Sequence, residues 1–151
     1  MKFEAVKSAT INYDIHYSVT ERSFEYDSIS KADIFFLISY LELGFDSDDN
    51  LLKSISGLSF QESWKECKLC EPQGEEGTIR LIKECESGKT YRLDKNVIWD
   101  SYYDNTTGWF CLGEPMVEQT YKTIKVFNNA YIMLDDSGEI KSLWIKPVFE
   151  K

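Results

Sequence analysis

The sequence predicts an α+β fold in which a curved antiparallel sheet packs on one long apolar helix, with one or two short extra helices. Two observations support this fold class. Residues 30–43 carry apolar side chains at helical spacing, and β-rich segments separated by turn residues follow from residue 77 onward. Because helices and strands fall in separate runs, the order disfavours alternating βαβ units. At 151 residues, we expect a single globular domain spanning residues 1–151.

The predicted long helix covers residues 30–43. Ser30 and Asp33 have the spacing of a capping box at a helix N-terminus, and Gly44 offers a stop at the other end. Four apolar residues recur at i, i+3, i+4 and i+7, which is one helical face: Ile34, Leu37, Ile38 and Leu41. We expect the last three of these to lie in the core, with the sheet wrapped around the helix.

The remaining segments supply strands and shorter helices. Residues 11–19 alternate apolar and polar side chains, as a half-buried strand does. Capping residues predict short helices near 48–56 and 60–69. Seven β-rich segments follow: 78–83, 89–93, 96–103, 107–112, 119–127, 130–134 and 139–145. The first two are predicted to form a hairpin, and the last three a meander with polar turns.

The charge balance is strongly acidic. Asp and Glu number 26 against 17 Lys and Arg, a formal charge of −9, and residues 42–76 hold nine acidic and three basic residues. Such a field repels nucleic acid and anionic membranes and attracts basic partners, although it can also serve solubility alone. The chain lacks a membrane-spanning apolar run, and its first residues lack a signal-peptide core. We therefore expect a cytoplasmic protein.

The sequence contains no motif for catalysis or for a cofactor, so we predict a protein that is not an enzyme and that needs no cofactor or metal. Cys67 and Cys70 form a CxxC pair, but no second pair at matching spacing completes a zinc site. Residues 46–57 begin like a calcium loop and then lack its required Gly and Glu. His16, the only histidine, is accompanied by no nucleophile motif.

Aromatic and acidic residues are interleaved between positions 99 and 109. This mixture is typical of a protein-binding hot spot, in which rings supply buried area and acids supply steering, although alternate rings of a strand could instead be core. Together with acids of the 42–76 stretch, they make up the predicted partner-binding residues. These are Asp46, Asp48, Asp49, Glu75, Glu76, Trp99, Asp100, Tyr102, Tyr103, Asp104 and Trp109.

The closing segment, NNAYIMLDDSGEIKSLWIKPVFEK at residues 128–151, covers about one sixth of the chain. With the small size and the acidity, it resembles the immunity proteins of bacterial contact-dependent growth inhibition systems. That resemblance implies a cytoplasmic monomer or weak dimer that binds one cognate basic toxin domain, often a nuclease, and occludes it without chemistry. Two alternatives stay open: a small-ligand-binding domain with a pocket between sheet and helix, and an acidic DNA-mimic inhibitor from a phage or plasmid.

Overall fold

The computed structural model describes residues 1–26, 30–83, 85–95, 99–116 and 118–150. Within these ranges the chain is almost entirely β, with strands β1–β15 in two sheets and a single 3-10 turn at Gln61–Ser63. The predicted α+β fold is therefore wrong, because no described segment forms a helix of seven or more residues. Nor does any described helix have the length and apolarity needed to cross a membrane. The start of the predicted 96–103 strand lies outside the described residues.

Eight strands form the larger sheet. In chain order they are β1 (Phe3–Lys7), β7 (Lys65–Glu66), β8 (Glu75–Leu81), β10 (Ser101–Tyr103), β11 (Phe110–Gly113), β12 (Lys122–Phe127), β13 (Ala130–Leu134) and β14 (Ile140–Ile145). Across the sheet their order is β1-β8-β12-β13-β14-β11-β10-β7. The predicted meander is confirmed, since β12 pairs antiparallel with β13 and β13 pairs antiparallel with β14. The predicted β-rich segments on either side of the 104–107 loop contain β10 and β11, which pair antiparallel.

Seven strands form the smaller sheet. They are β2 (His16–Ser18), β3 (Ser23–Glu25), β4 (Ile34–Ile38), β5 (Leu41–Phe45), β6 (Leu52–Leu58), β9 (Thr90–Arg92) and β15 (Val148–Glu150). Across the sheet their order is β15-β2-β3-β6-β5-β4-β9. The predicted hairpin over 78–93 is wrong, since β8 and β9 belong to different sheets. The predicted short helices are also wrong: the first gives way to β6, and the second to the 3-10 turn and β7.

Strand β4 shows why the long helix does not form. Ile34, Phe36 and Ile38 are fully buried, whereas Phe35 and Leu37 are only half-buried. This is the period of two of a pleated strand, not the 3.6 of a helix. β-Branched and aromatic side chains also suit a strand, where they pack against cross-strand neighbours. Positions 34, 38 and 41 are buried in either arrangement, so the helical spacing alone could not separate the two.

The turn between β4 and β5 is held by a distant part of the chain. Ser39 adopts a φ of 55°, and its N–H donates to the carboxylate of Asp94 at 2.8 Å. Arg92 Nη1 donates to both Ser39 O and Asp94 Oδ1 at 3.0 Å. A positive φ is uncommon for a serine, since Gly, Asn and Asp are the residues that adopt it readily. The hairpin therefore depends on contacts more than fifty positions away in sequence.

The two sheets pack face to face around one apolar core. Phe3 of the larger sheet meets Phe36 and Phe45 of the smaller sheet, with ring centroids 5.4–5.5 Å apart. Aromatic pairs at this separation add stabilisation beyond the area that they bury. The core thus lies between the sheets, where the sequence had predicted a helix.

The outer face of the larger sheet carries a second apolar cluster, formed by Leu69, Trp109, Cys111, Tyr131, Met133 and Trp144. Residues 67–74, here called the strap, connect β7 to β8 across this face, a distance of six strand spacings. Six spacings of about 4.8 Å add up to about 29 Å. The nine Cα–Cα steps from residue 66 to residue 75 just cover this distance at about 3.3 Å per residue. The strap is therefore close to fully extended. It covers the outer face of the larger sheet, whose inner face packs on the smaller sheet.

Candidate functional site

A cleft of about 410 Å³ opens beside the segment that leads into β10. We call it the Trp99 cleft. Its aromatic walls come from Trp99 and Tyr102, which are both half-buried. Apolar side chains from the ends of three other segments complete the interior, among them Phe3, Leu93 and Ile140. Its volume falls in the range of about 300–1,000 Å³ that is usual for binding pockets.

Charged groups of mostly one sign line the same cleft. Three carboxylates and one ammonium take part: Asp100, Glu114, Glu139 and Lys141. Lys141 already lies 3.8 Å from Asp135, and Asp100 is 3.1 Å from Lys65 at the sheet edge. The cleft is therefore net acidic, in keeping with the charge of the whole chain.

Glu114 is oriented by a tyrosine. The hydroxyl of Tyr121 donates to Glu114 Oε2 at 2.6 Å. This hydrogen bond is the main reason why the pKa of Tyr121 lies well above its ordinary value of 10.0, since losing the proton would place two anions side by side. Tyr121 therefore stays a donor at neutral pH and holds one oxygen of Glu114.

A second, smaller recess of about 260 Å³ adjoins the first and shares Trp99 and Asp100 with it. We call it the Tyr40 recess. Tyr40 is 60% exposed and Leu58 is 44% exposed, while the Tyr40 and Phe60 rings lie 6.2 Å apart. Exposed apolar groups beside an acidic cleft extend the surface on which a partner could be recognised.

Only three of the predicted partner-binding residues line the Trp99 cleft, namely Trp99, Asp100 and Tyr102. Tyr103 lies against Trp64 and Phe149, with ring centroids 5.1 and 6.0 Å away. Trp109 is 3% exposed within the outer cluster, so a partner cannot reach its ring while the strap is in place.

Asp104 holds the strap. Its Oδ2 accepts the N–H of Leu69 at 2.8 Å, and its Oδ1 accepts the N–H of Thr106 at 2.8 Å. These hydrogen bonds, that of Leu69 first, lower the pKa of Asp104 below its ordinary 3.8. Thr107 Oγ1 donates to Leu69 O at 2.8 Å from the same turn. Asp104 is thus engaged within the fold.

The acids near residue 48 form the turn between β5 and β6. Asp46 is buried, and its Oδ1 accepts the N–H of Asp48 at 2.9 Å. Asp49 accepts from the N–H of Leu51 and from Lys53, each at 2.9 Å. Asp46 and Asp49 therefore accept hydrogen bonds within the turn, while Asp48 and Asp49 are both exposed.

Glu75 and Glu76 are exposed at the start of β8 in the other sheet. They line a separate cavity of about 470 Å³ together with Lys7 and Lys122. Acids and bases balance there, unlike in the Trp99 cleft. The acidic excess of residues 42–76 is consequently distributed over both sheets.

Sequence analysis missed Glu114, Glu139 and Lys141. They come together because β11 and β14 pair with Gly113 opposite Ser142, and the N–H of Glu114 donates to Lys141 O at 3.1 Å. Predicting this register would have placed them beside one another. Among the described residues, no group of three His, Cys, Asp or Glu side chains is placed to hold a metal ion.

The chain is thus a two-sheet β protein with an acidic, aromatic-walled cleft. No protein-family model matches the chain, and no curated protein matches its sequence.

Proposed function

We propose that the protein is an immunity-type inhibitor that binds a basic toxin domain through the Trp99 cleft and occludes it without chemistry. The observation that carries the proposal is the combination of half-buried rings with a net acidic lining at one site. The neighbouring Tyr40 recess widens the contact surface. A nuclease groove has the complementary sign, because it must hold phosphates.

The rings and the charges of the cleft would contribute to binding in different ways. Aromatic side chains at the centre of an interface supply much of its binding energy, since they are large and already ordered. Carboxylates around them accelerate encounter with a cationic surface and select against acidic partners. With a net charge of −9, the whole chain adds to this steering.

The test begins with the gene neighbourhood. The variable C-terminal domain of a large secreted protein encoded beside this gene is the partner to express. We expect co-expression to rescue growth, and we expect association to slow as salt rises, because exposed charges are screened beyond about 8–10 Å near physiological ionic strength. A neighbouring toxin domain that neither binds nor is neutralised would contradict the proposal.

The volume of the Trp99 cleft and its apolar interior favour a second candidate, a small-ligand-binding protein. Native mass spectrometry of protein purified from its own host separates the two. A stoichiometric small molecule that is retained on purification and lost in Trp99→Ala would favour the ligand-binding function. A bare polypeptide mass would favour the protein-binding one.

A further inference from the structure

We infer that the Trp99 cleft takes an arginine side chain of the partner, an inference that rests on the proposed function. The cleft volume of about 410 Å³ exceeds many times over the roughly 10–15 Å³ needed to admit one water. A long side chain can therefore enter, and its chemistry is decided by the groups that line the cleft.

The net acidic lining of the cleft favours a cationic ligand. Neither Glu114 nor Glu139 forms an ion pair with a described residue. Both glutamates are exposed, so a cation entering the cleft can form ion pairs with them that a purely apolar side chain cannot. A bare metal ion does not fit either, since the described carboxylates do not converge as ligands.

The rings favour arginine over lysine. A guanidinium is planar and weakly hydrated, so it stacks on aromatic faces such as those of Trp99 and Tyr102 while its edge donates to carboxylates. It can also satisfy two carboxylate oxygens at once. A lysine ammonium is a compact, strongly hydrated point charge and gains less from the same walls.

Three capped amino acids test this directly: the N-acetyl amides of arginine, lysine and citrulline. Citrulline has nearly the shape of arginine without its charge. We expect arginine to shift the indole N–H resonance of Trp99 saturably, with lysine weaker and citrulline weaker than arginine by about tenfold or more, the size of one charge-assisted contact. Equal binding of arginine and citrulline, or no binding of arginine, would overturn the inference.

A matched pair of variants locates the site. The double variant Glu114→Gln/Glu139→Gln removes two charges from the Trp99 cleft. The double variant Glu75→Gln/Glu76→Gln removes two charges from the separate cavity at the start of β8. We expect only the first pair to weaken arginine binding. Equal weakening by both would show a general field effect and would overturn the inference.

The same variants separate this inference from the proposed function. If the neighbouring toxin domain is neutralised but still binds the cleft variant at full strength, the arginine inference fails; toxin inhibition then stands, with its binding surface outside the Trp99 cleft. If arginine binds the cleft but the toxin domain does not bind the protein, the cleft chemistry stands and the proposed function fails.

Discussion

The indole ring of Trp99 lies directly against the backbone of Gly113. A Cβ placed on Gly113 would stand 2.8 Å from Cε3 of Trp99, closer than carbon atoms pack. Gly113 also adopts a φ of 111°, a backbone conformation that residues with a Cβ atom rarely adopt. One wall of the cleft therefore depends on a residue without a side chain at the end of β11.

An added Cβ at Gly113 would meet the backbone oxygen of Lys141 as well as the Trp99 ring. Gly113→Ala should therefore displace the ring and destabilise the fold by about 1–3 kcal/mol, the range for backbone strain at a special φ. Gly88→Ala is the matched control, because Gly88 has a φ of 81° and nothing within 4 Å of a Cβ. Chemical denaturation and the Trp99 indole resonance measure the two effects. Equal behaviour of the two variants would argue against the packing of Trp99 on Gly113.

Ile38→Ala and Leu37→Ala distinguish a strand from a helix at β4. Ile38 is fully buried, so its truncation should cost about 2–5 kcal/mol. Leu37 lies on the opposite, half-buried face and should cost clearly less, about 1 kcal/mol. Both would be core on the predicted helical face. Similar large losses of unfolding free energy in urea would therefore contradict the strand alternation.

Asp104 should make stability depend on acid pH. Its folded-state pKa is lowered by the N–H groups of Leu69 and then Thr106. The stabilisation is thus fully present above its unfolded pKa of about 4 and is lost as pH falls through the folded value. Asp104→Asn should make the free energy of unfolding less dependent on pH between about pH 5 and pH 2. The exposed Asp136→Asn serves as the control, and an unchanged pH profile in Asp104→Asn would oppose this role.

We predict no stoichiometric metal and no disulfide in the protein when it is made in the cytosol. Cys67 packs against the outer cluster while Cys70 is exposed, as expected for residues three apart in an extended strap. Burial is the main cause that raises the pKa of Cys111 far above its ordinary value, which makes this thiol unreactive. Thiol titration should modify Cys70 first and Cys111 only on unfolding. One zinc per chain, lost in Cys67→Ser, would refute the prediction.

Local turn chemistry explains which strands could be predicted. The turn at residues 128–129, between β12 and β13, consists of two asparagines, which favour tight turns through their own local geometry. By contrast, the turn at Ser39 is secured by Asp94, and the strap by Asp104. Those contacts are long-range, so helical spacing in 30–43 and capping residues near 60 led to helices that tertiary pairing overrides.

The candidate site was predictable only in part for the same reason. Trp99, Asp100 and Tyr102 are adjacent in sequence, and their mixture of rings and charge pointed to a binding surface. Glu114 and Glu139 join them through the pairing of β11 with β14, a register that no local pattern specifies. The acids of 42–76 looked concentrated in sequence, but the strap carries the chain from one edge of the larger sheet towards the other.

If the Trp99 cleft holds the basic partner, removing its charges should weaken the complex. Surface binding kinetics of the neighbouring toxin domain, measured against two variants of equal charge change, test this. We expect Glu114→Gln with Glu139→Gln to weaken binding tenfold or more, about 1.4 kcal/mol, mainly through faster dissociation. Glu75→Gln with Glu76→Gln should alter only the association rate, and only slightly. Full-strength binding by the cleft variant would contradict binding of the partner in the cleft.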